Sequence, residues 1–318
     1  MSYTGDTEME KIEILSKVDK TLQPSRIQSA CGSEKRPLLV ALHTWSYTCD
    51  SFCDDYAELC RKKNWHLIYP NFRGPNCTPA GCGSDLAVSD IEDAVEYMRK
   101  NYPVDDDHIY LMGGSGGGHF SLLVAGRRPD LFTAISAWCP ISDIARWYGE
   151  SLERGNRYAG HIELSCSGNP QSDPAALLQA QLRSPLSWLN NAVNKVPVDI
   201  STGIHDGHTG SVPIGQAVRA YNMLAAESDR ISEADIEFME KNEKIPAHLA
   251  AKNSDPAYGN YTVYLRKSSN MVRLTLFEGG HNIFPEIGGN WLERQSRGGK
   301  ADFSDGEALQ TKAVELSK

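Results

Sequence analysis

The sequence predicts an α/β fold: a mostly parallel central sheet with helices on both faces and an inserted cap. From Arg36 onward, short and continuously apolar runs alternate with stretches of helical spacing, as expected for strands buried on both faces. One run, His108–Met112, stops at a glycine cluster and passes directly into helical spacing at Phe120, Leu123 and Val124. Two later runs, Val198–Gly203 and Val272–Phe277, each end in a polar tip.

Residues 1–35 are polar, with one edge strand expected around Lys11–Leu15. The main domain is expected over residues 36–300. Within it, Pro37–Leu42 reads as a buried strand, and Asp50–Lys63 has helical spacing through Phe52, Tyr56 and Cys60. Trp65–Tyr69 is the next strand. Asp85–Asn101 is an amphipathic helix with Ile91, Ala94, Val95 and Met98 on one face. A helix is expected from Gly116, and Phe132–Trp138 is a strand ended by Cys139-Pro140. Residues 144–195 break this rhythm with Trp147, Tyr148, Trp188, Arg146, Arg154 and Arg157 among glycines and prolines, and read as the cap. Residues 227–268, rich in Glu and carrying Lys241, Lys244 and Lys252, read as a surface excursion before the last strand. The polar tail, 301–318, is expected to fray.

The chain has 318 residues, 40% apolar and 23% charged, the balance of an ordinary globular protein. Its net charge of −9 argues against an electrostatic grip on nucleic acid or an anionic membrane. No run approaches the roughly 20 apolar residues of a membrane span. The first eight residues are acidic and lack an apolar core, so no secretory signal and a cytoplasmic location are expected. None of the eight cysteines forms Cys-x-x-Cys, which argues against a zinc ribbon. They are expected as reduced, mostly buried thiols, although Cys77 and Cys82 lie close enough to pair in an oxidising compartment. The oligomeric state stays open.

The glycine cluster contains Gly113-x-Ser115-x-Gly117. Between a strand and a helix, this spacing holds a serine at the apex of a strained turn, its Oγ exposed near a helix N-terminus. Phosphate-loop and dinucleotide readings fail, because no Lys-Ser or Lys-Thr follows and His119 stands where a small residue is needed. A serine nucleophile needs a base, and the base needs an orienting acid. The polar tips supply both: Asp206 after Val198–Gly203 and His281 after Val272–Phe277. The order Ser115, Asp206, His281 is that of α/β-hydrolases. Asp143 is a rival acid with a structural role expected, His205 and His208 are rival bases, and His119 is expected to pack beneath the turn. An oxyanion hole needs two backbone donors. Gly116 supplies one, and Trp45, in the His43-Thr44-Trp45-Ser46 loop, is expected to supply the other. Trp147, Tyr148 and Trp188 are candidates for an aromatic wall facing substrate, their ordinary reading being cap packing. Arg73 is a candidate for a substrate contact or a loop tie.

Tyr69–Pro75, Asp90–Tyr97, Gly113–Gly117, Arg128–Phe132, Pro140–Asp143 and the Val212-Pro213/Gln216 set after Asp206 together resemble the catalytic domain of the prolyl oligopeptidase (S9-type) family, over about residues 36–300. The resemblance implies a serine hydrolase with Ser115 as nucleophile, Asp206 as acid and His281 as base. Two departures stand out. Relatives commonly carry His-Gly-Gly where this chain has His43-Thr44-Trp45, and the large N-terminal propeller of many of the peptidases is not expected here. Family members without a propeller include esterases of acylated sugars and other small esters. The expected function is therefore metal- and cofactor-independent hydrolysis of a small-acyl or acetylated-sugar ester. Cleavage of short peptides is the alternative, and a non-catalytic binding protein on the same fold is the third reading.

Overall fold

The computed structural model describes residues 9–51, 54–250, 255–309 and 313–316. The N-terminal octet, Phe52 and Lys252, on which some of the expectations above rest, lie outside them. The chain opens with an antiparallel hairpin, β1 (Glu10–Leu15) and β2 (Leu22–Gln28). Next come β3 (Arg36–Leu42), α1 (Asp54–Lys63), β4 (His66–Pro70), α2 (Asp85–Asn101), β5 (Val104–Gly114), α3 (Gly116–Arg127) and β6 (Ala134–Trp138). Helices α4 (Ile144–Glu153), α5 (Tyr158–Cys166) and α6 (Pro174–Leu182) precede β7 (Val198–Gly203), α7 (Ile214–Leu224) and α8 (Glu233–Asn242). The chain then forms β8 (Val263–Ser269), β9 (Val272–Phe277), β10 (Asn282–Ile283), α9 (Pro285–Glu293) and β11 (Val314–Glu315).

Nine strands make one sheet in the order β1-β2-β4-β3-β5-β6-β7-β9-β8. The six from β4 to β9 in that order pair in parallel, and they are the apolar runs of the sequence. Because successive side chains point to opposite faces, Leu38, Val40 and Leu42 enter a core with residues of α2, α3 and α7, while Leu39 and Ala41 join residues of α1 and α9. A third cluster gathers Trp45 with α4, α5 and α6. Helix α2 begins where Ser84 Oγ accepts from Ala87 N–H, a cap worth about 1 kcal/mol. Among the described residues, no helix is long and apolar enough to cross a membrane.

The edges differ from the sequence reading. Strand β2, inside the polar 1–35 segment, pairs antiparallel with β4 and so extends the sheet by two strands rather than one. Strand β8 begins within the charged 227–268 stretch and closes the other edge against β9. The tail does not simply fray: β11 pairs with β10, and Leu316 is buried.

Candidate active site

Four adjacent strands, β5, β6, β7 and β9, deliver the site at their C-terminal ends, where parallel sheets place their chemistry. Ser115 stands between β5 and α3 at φ +57°, ψ −120°, a sparsely populated conformation for a residue with a Cβ. Its N–H donates to Trp138 O at 2.8 Å, and its carbonyl accepts from His119 N–H at 2.8 Å. The turn has no room for side chains. A Cβ on Gly113 would lie 2.5 Å from the carbonyl carbon of Gly117, and one on Gly116 would collide with N and Cα of Trp45. The Trp45 backbone therefore lies directly against Gly116.

Asp206 and His281 meet across β7 and β9. His281 Nδ1 donates to Asp206 Oδ2 at 2.7 Å, and both side chains are buried. Asp206 Oδ1 accepts from the N–H groups of Gly207 (2.9 Å) and Val212 (3.2 Å), so the carboxylate cannot swing away. The Nδ1–H bond selects the imidazole tautomer whose Nε2 carries the lone pair. That Nε2 is buried and has no hydrogen-bond partner among the described residues. Burial disfavours the imidazolium, but the charge and hydrogen bond of Asp206, with Cys139 beside it, outweigh burial and raise the His281 pKa well above the ordinary value.

The rivals sit elsewhere. Asp143 caps α4 by accepting from Arg146 N–H, and its own N–H is bound by Gln216 Oε1. His119 packs behind Ser115 with Nε2 on Arg183 O at 2.8 Å, and burial lowers its pKa to about 4. His208 Nε2 donates to Glu240 O at 2.6 Å. His205 lies between two carboxylates, Glu243 and Glu278.

The three cap aromatics do not form one wall. Trp147 is buried, its ring 4.7 Å from that of Trp45 and its Nε1 on Ser211 O. Tyr148 is buried with its hydroxyl on Glu163. Trp188 packs against Gly126 at the far end of α3, beneath the Arg127 guanidinium. Gly126 lies eleven residues on from Ser115, about 16 Å along the helix axis, so Trp188 stands away from the serine. Arg73 ties its loop down through Asp90 (2.6 Å) and Asp19 (2.5 Å).

Two neighbours were missed by sequence reasoning. Cys139, just past β6, has its Sγ within 4.8 Å of the donor atoms of Asp206 and His281. Its only sequence signal is its place directly after an apolar run. Burial, then the charge of Asp206, raises its pKa. The three side chains form the one potential metal-binding group among the described residues, but Asp206 and His281 bond each other and Cys139 Sγ donates to Asn282 O at 3.3 Å. The set is a hydrogen-bonded cluster. Leu316 N–H donates to His281 O at 3.0 Å, and its side chain fills the space where a Gly114 Cβ would stand. All seven described cysteines are free thiols, Cys77 and Cys82 included.

Residues 84–255, more than half of the chain, match the model of the prolyl oligopeptidase family. The human acylamino-acid-releasing enzyme is 26% identical over 179 residues, which cover 53% of this chain and 23% of that protein. Feruloyl esterase B of Talaromyces stipitatus is 24% identical over 193 residues, covering 57% of this chain and 46% of that protein. The matched region thus spans less than half the length of these curated relatives. Among solved structures, the orthorhombic form of Pyrococcus horikoshii acylaminoacyl peptidase superposes with a TM-score of 0.63 at 16% identity, over 93% of this chain and 43% of that one. A post-proline cleaving enzyme from Rickettsia typhi superposes at 0.53 with 22% identity, over 68% of this chain and 31% of that one. With the family match on the sequence and the same fold in these structures, the chain belongs to the prolyl oligopeptidase family of serine hydrolases, on an α/β-hydrolase fold.

Proposed function

We propose that this protein hydrolyses a small-acyl or acetylated-sugar carboxylic ester, with Ser115 as nucleophile, His281 as general base and Asp206 as the acid that orients it. The observation that carries this reading is the His281–Asp206 pair at 2.7 Å with a buried, unpartnered Nε2, set across neighbouring strand ends from a serine on a strained turn. Ser115 Oγ attacks the acyl carbon as its proton passes to Nε2. The imidazolium so formed is stabilised by Asp206 and returns the proton to the departing alkoxide. The N–H groups of Gly116 and Trp45 hold the oxyanion, and a water activated by the same Nε2 then releases the acid and frees Ser115. No metal or cofactor enters these steps. Similarity to a feruloyl esterase over 57% of the chain supports an ester substrate, and an alkoxide needs less help in leaving than an amine.

Similarity to acylamino-acid-releasing enzymes favours a second reading, in which the same residues cleave a short peptide. In either case the partner is a small substrate rather than nucleic acid or a membrane. A reducing, cytoplasmic compartment suits the seven described thiols. Paired turnover on p-nitrophenyl esters from acetate to octanoate and on Ala and Pro anilides, with Ser115→Ala as control, separates the readings. Turnover favouring acetate with inert anilides supports the esterase. Anilide turnover matching the ester overturns it in favour of the peptidase.

A further inference from the structure

The loop that carries Asp206 and the loop that carries His281 are held together by the residue next to Asp206. His205 Nδ1 lies 2.7 Å from Glu243 Oε2, and its Nε2 lies 3.0 Å from Glu278 Oε1. Glu243 ends α8 in a left-handed conformation, φ +53°. Glu278 follows β9, three residues before His281. The His205 backbone joins the same seam, its N–H donating to Gly279 O at 3.0 Å. A neutral imidazole has one N–H and one lone pair, so it cannot donate to two carboxylates at once. Both contacts are hydrogen bonds only when the ring is an imidazolium.

We infer that His205 is a positioning residue: as an imidazolium it clamps Glu243 and Glu278, fixes the spacing of the loops bearing Asp206 and His281, and loosens them when it loses its proton. This rests on the reading of Ser115, Asp206 and His281 as the catalytic set. His205 itself touches none of the reacting atoms. The groups facing the clamp are few. Tyr264 on β8 donates to Glu278, and His208 Nδ1 stands 3.7 Å from Glu243 while its Nε2 is held by the Glu240 carbonyl. Burial opposes the His205 cation, but the two carboxylates outweigh it and raise its pKa above the ordinary imidazole value. With both carboxylates ionised, the clamp is therefore present at neutral pH and is lost as pH rises through that raised value. Catalysis needs the reverse of His281, which must be neutral to accept a proton. The two requirements give a bell-shaped kcat profile whose alkaline fall exists only while His205 titrates.

Glutamine keeps a donor toward one carboxylate and does not titrate. With p-nitrophenyl acetate, His205→Gln is expected to lower kcat roughly tenfold, as small misplacements of catalytic groups do, with KM nearly unchanged. Its alkaline limb disappears. Glu278→Gln, which keeps His205 but removes one carboxylate, is expected to lower the pH at which His205 loses its proton. Nitrogen-15 shifts of His205 in the wild-type enzyme should show both ring nitrogens protonated at neutral pH, with a transition to the neutral ring as pH rises. An unchanged alkaline limb in His205→Gln overturns the clamp, as does a neutral ring at neutral pH. Ser115→Ala, run alongside, separates the two failures. Activity surviving in it defeats the catalytic reading, whereas a dead Ser115→Ala beside an unaltered His205→Gln profile defeats the clamp alone.

Discussion

Two buried acid–base pairs bridge the same two strands, and they have different fates. Within the strands, near their N-terminal ends, Asp199 on β7 and Arg273 on β9 are register partners, joined at 2.7 Å with side chains 0% and 2% exposed. Past the strand ends, Asp206 and His281 are joined at the same 2.7 Å with similar burial. Arg273 is flanked by the rings of Trp291 and Phe303 and cannot give up its proton. His281 can, and it keeps one nitrogen uncommitted. The same electrostatic pairing is structural where the cation is permanent and is suited to proton transfer where it titrates. A strand-end loop allows a nitrogen to face a substrate, whereas the sheet interior does not.

Substitutions at the two pairs sharpen this contrast. The largest effect is expected at the nucleophile: Ser115→Ala should lower kcat by about 10⁶-fold with an unchanged thermal transition. Asp206→Asn should lower it by roughly 10⁴-fold and bring the pH at which His281 titrates back toward the ordinary range. The sign follows from linkage. The His281 pKa is raised in the folded chain, so its contribution to stability is full below the unfolded imidazole value of about 6.5 and fades as pH rises through the folded value. Activity runs the opposite way, rising as His281 becomes neutral. In His205→Gln, which lacks the alkaline fall, stability and kcat measured across the same pH range should therefore cross, and parallel curves would contradict the pairing.

Gly116→Ala should cost about 10²–10³-fold in kcat, the scale of a lost oxyanion donor, because the new Cβ must push Trp45 away. Arg273→Leu should act on the other pair alone. Leaving Asp199 buried without its cation costs about 3–5 kcal/mol of stability, read by denaturant unfolding, while kcat per folded molecule stays the same. Trp188→Ala is the smallest change, about 1–3 kcal/mol of stability with no change in kcat or KM.

The parallel strands were legible because each is apolar on both faces, and β7 and β9 match their sequence bounds, Val198–Gly203 and Val272–Phe277. Helix α2 was legible from its single apolar face, whereas the cap by Ser84 at its start emerged only in the structure. The edge strands were not. In β8, Tyr264, Arg266 and Lys267 leave only part of one face buried, and the pattern resembles a surface segment until β9 is there to pair with it. Ser115, Asp206 and His281 could be read because each follows a recognisable strand. The Trp188 expectation rested on composition alone, and the proximity of Cys139 to Asp206 and His281 depends on how three strand ends splay. The contact between Leu316 and His281 is longer in range still, made by a tail with no pattern of its own.

The reading of Ser115 as the activated nucleophile is tested most directly by a fluorophosphonate probe followed by peptide mapping. The expected result is one adduct, on Ser115, absent in Ser115→Ala and formed far more slowly in Asp206→Asn. An adduct on another residue, or labelling that survives Ser115→Ala, would contradict it.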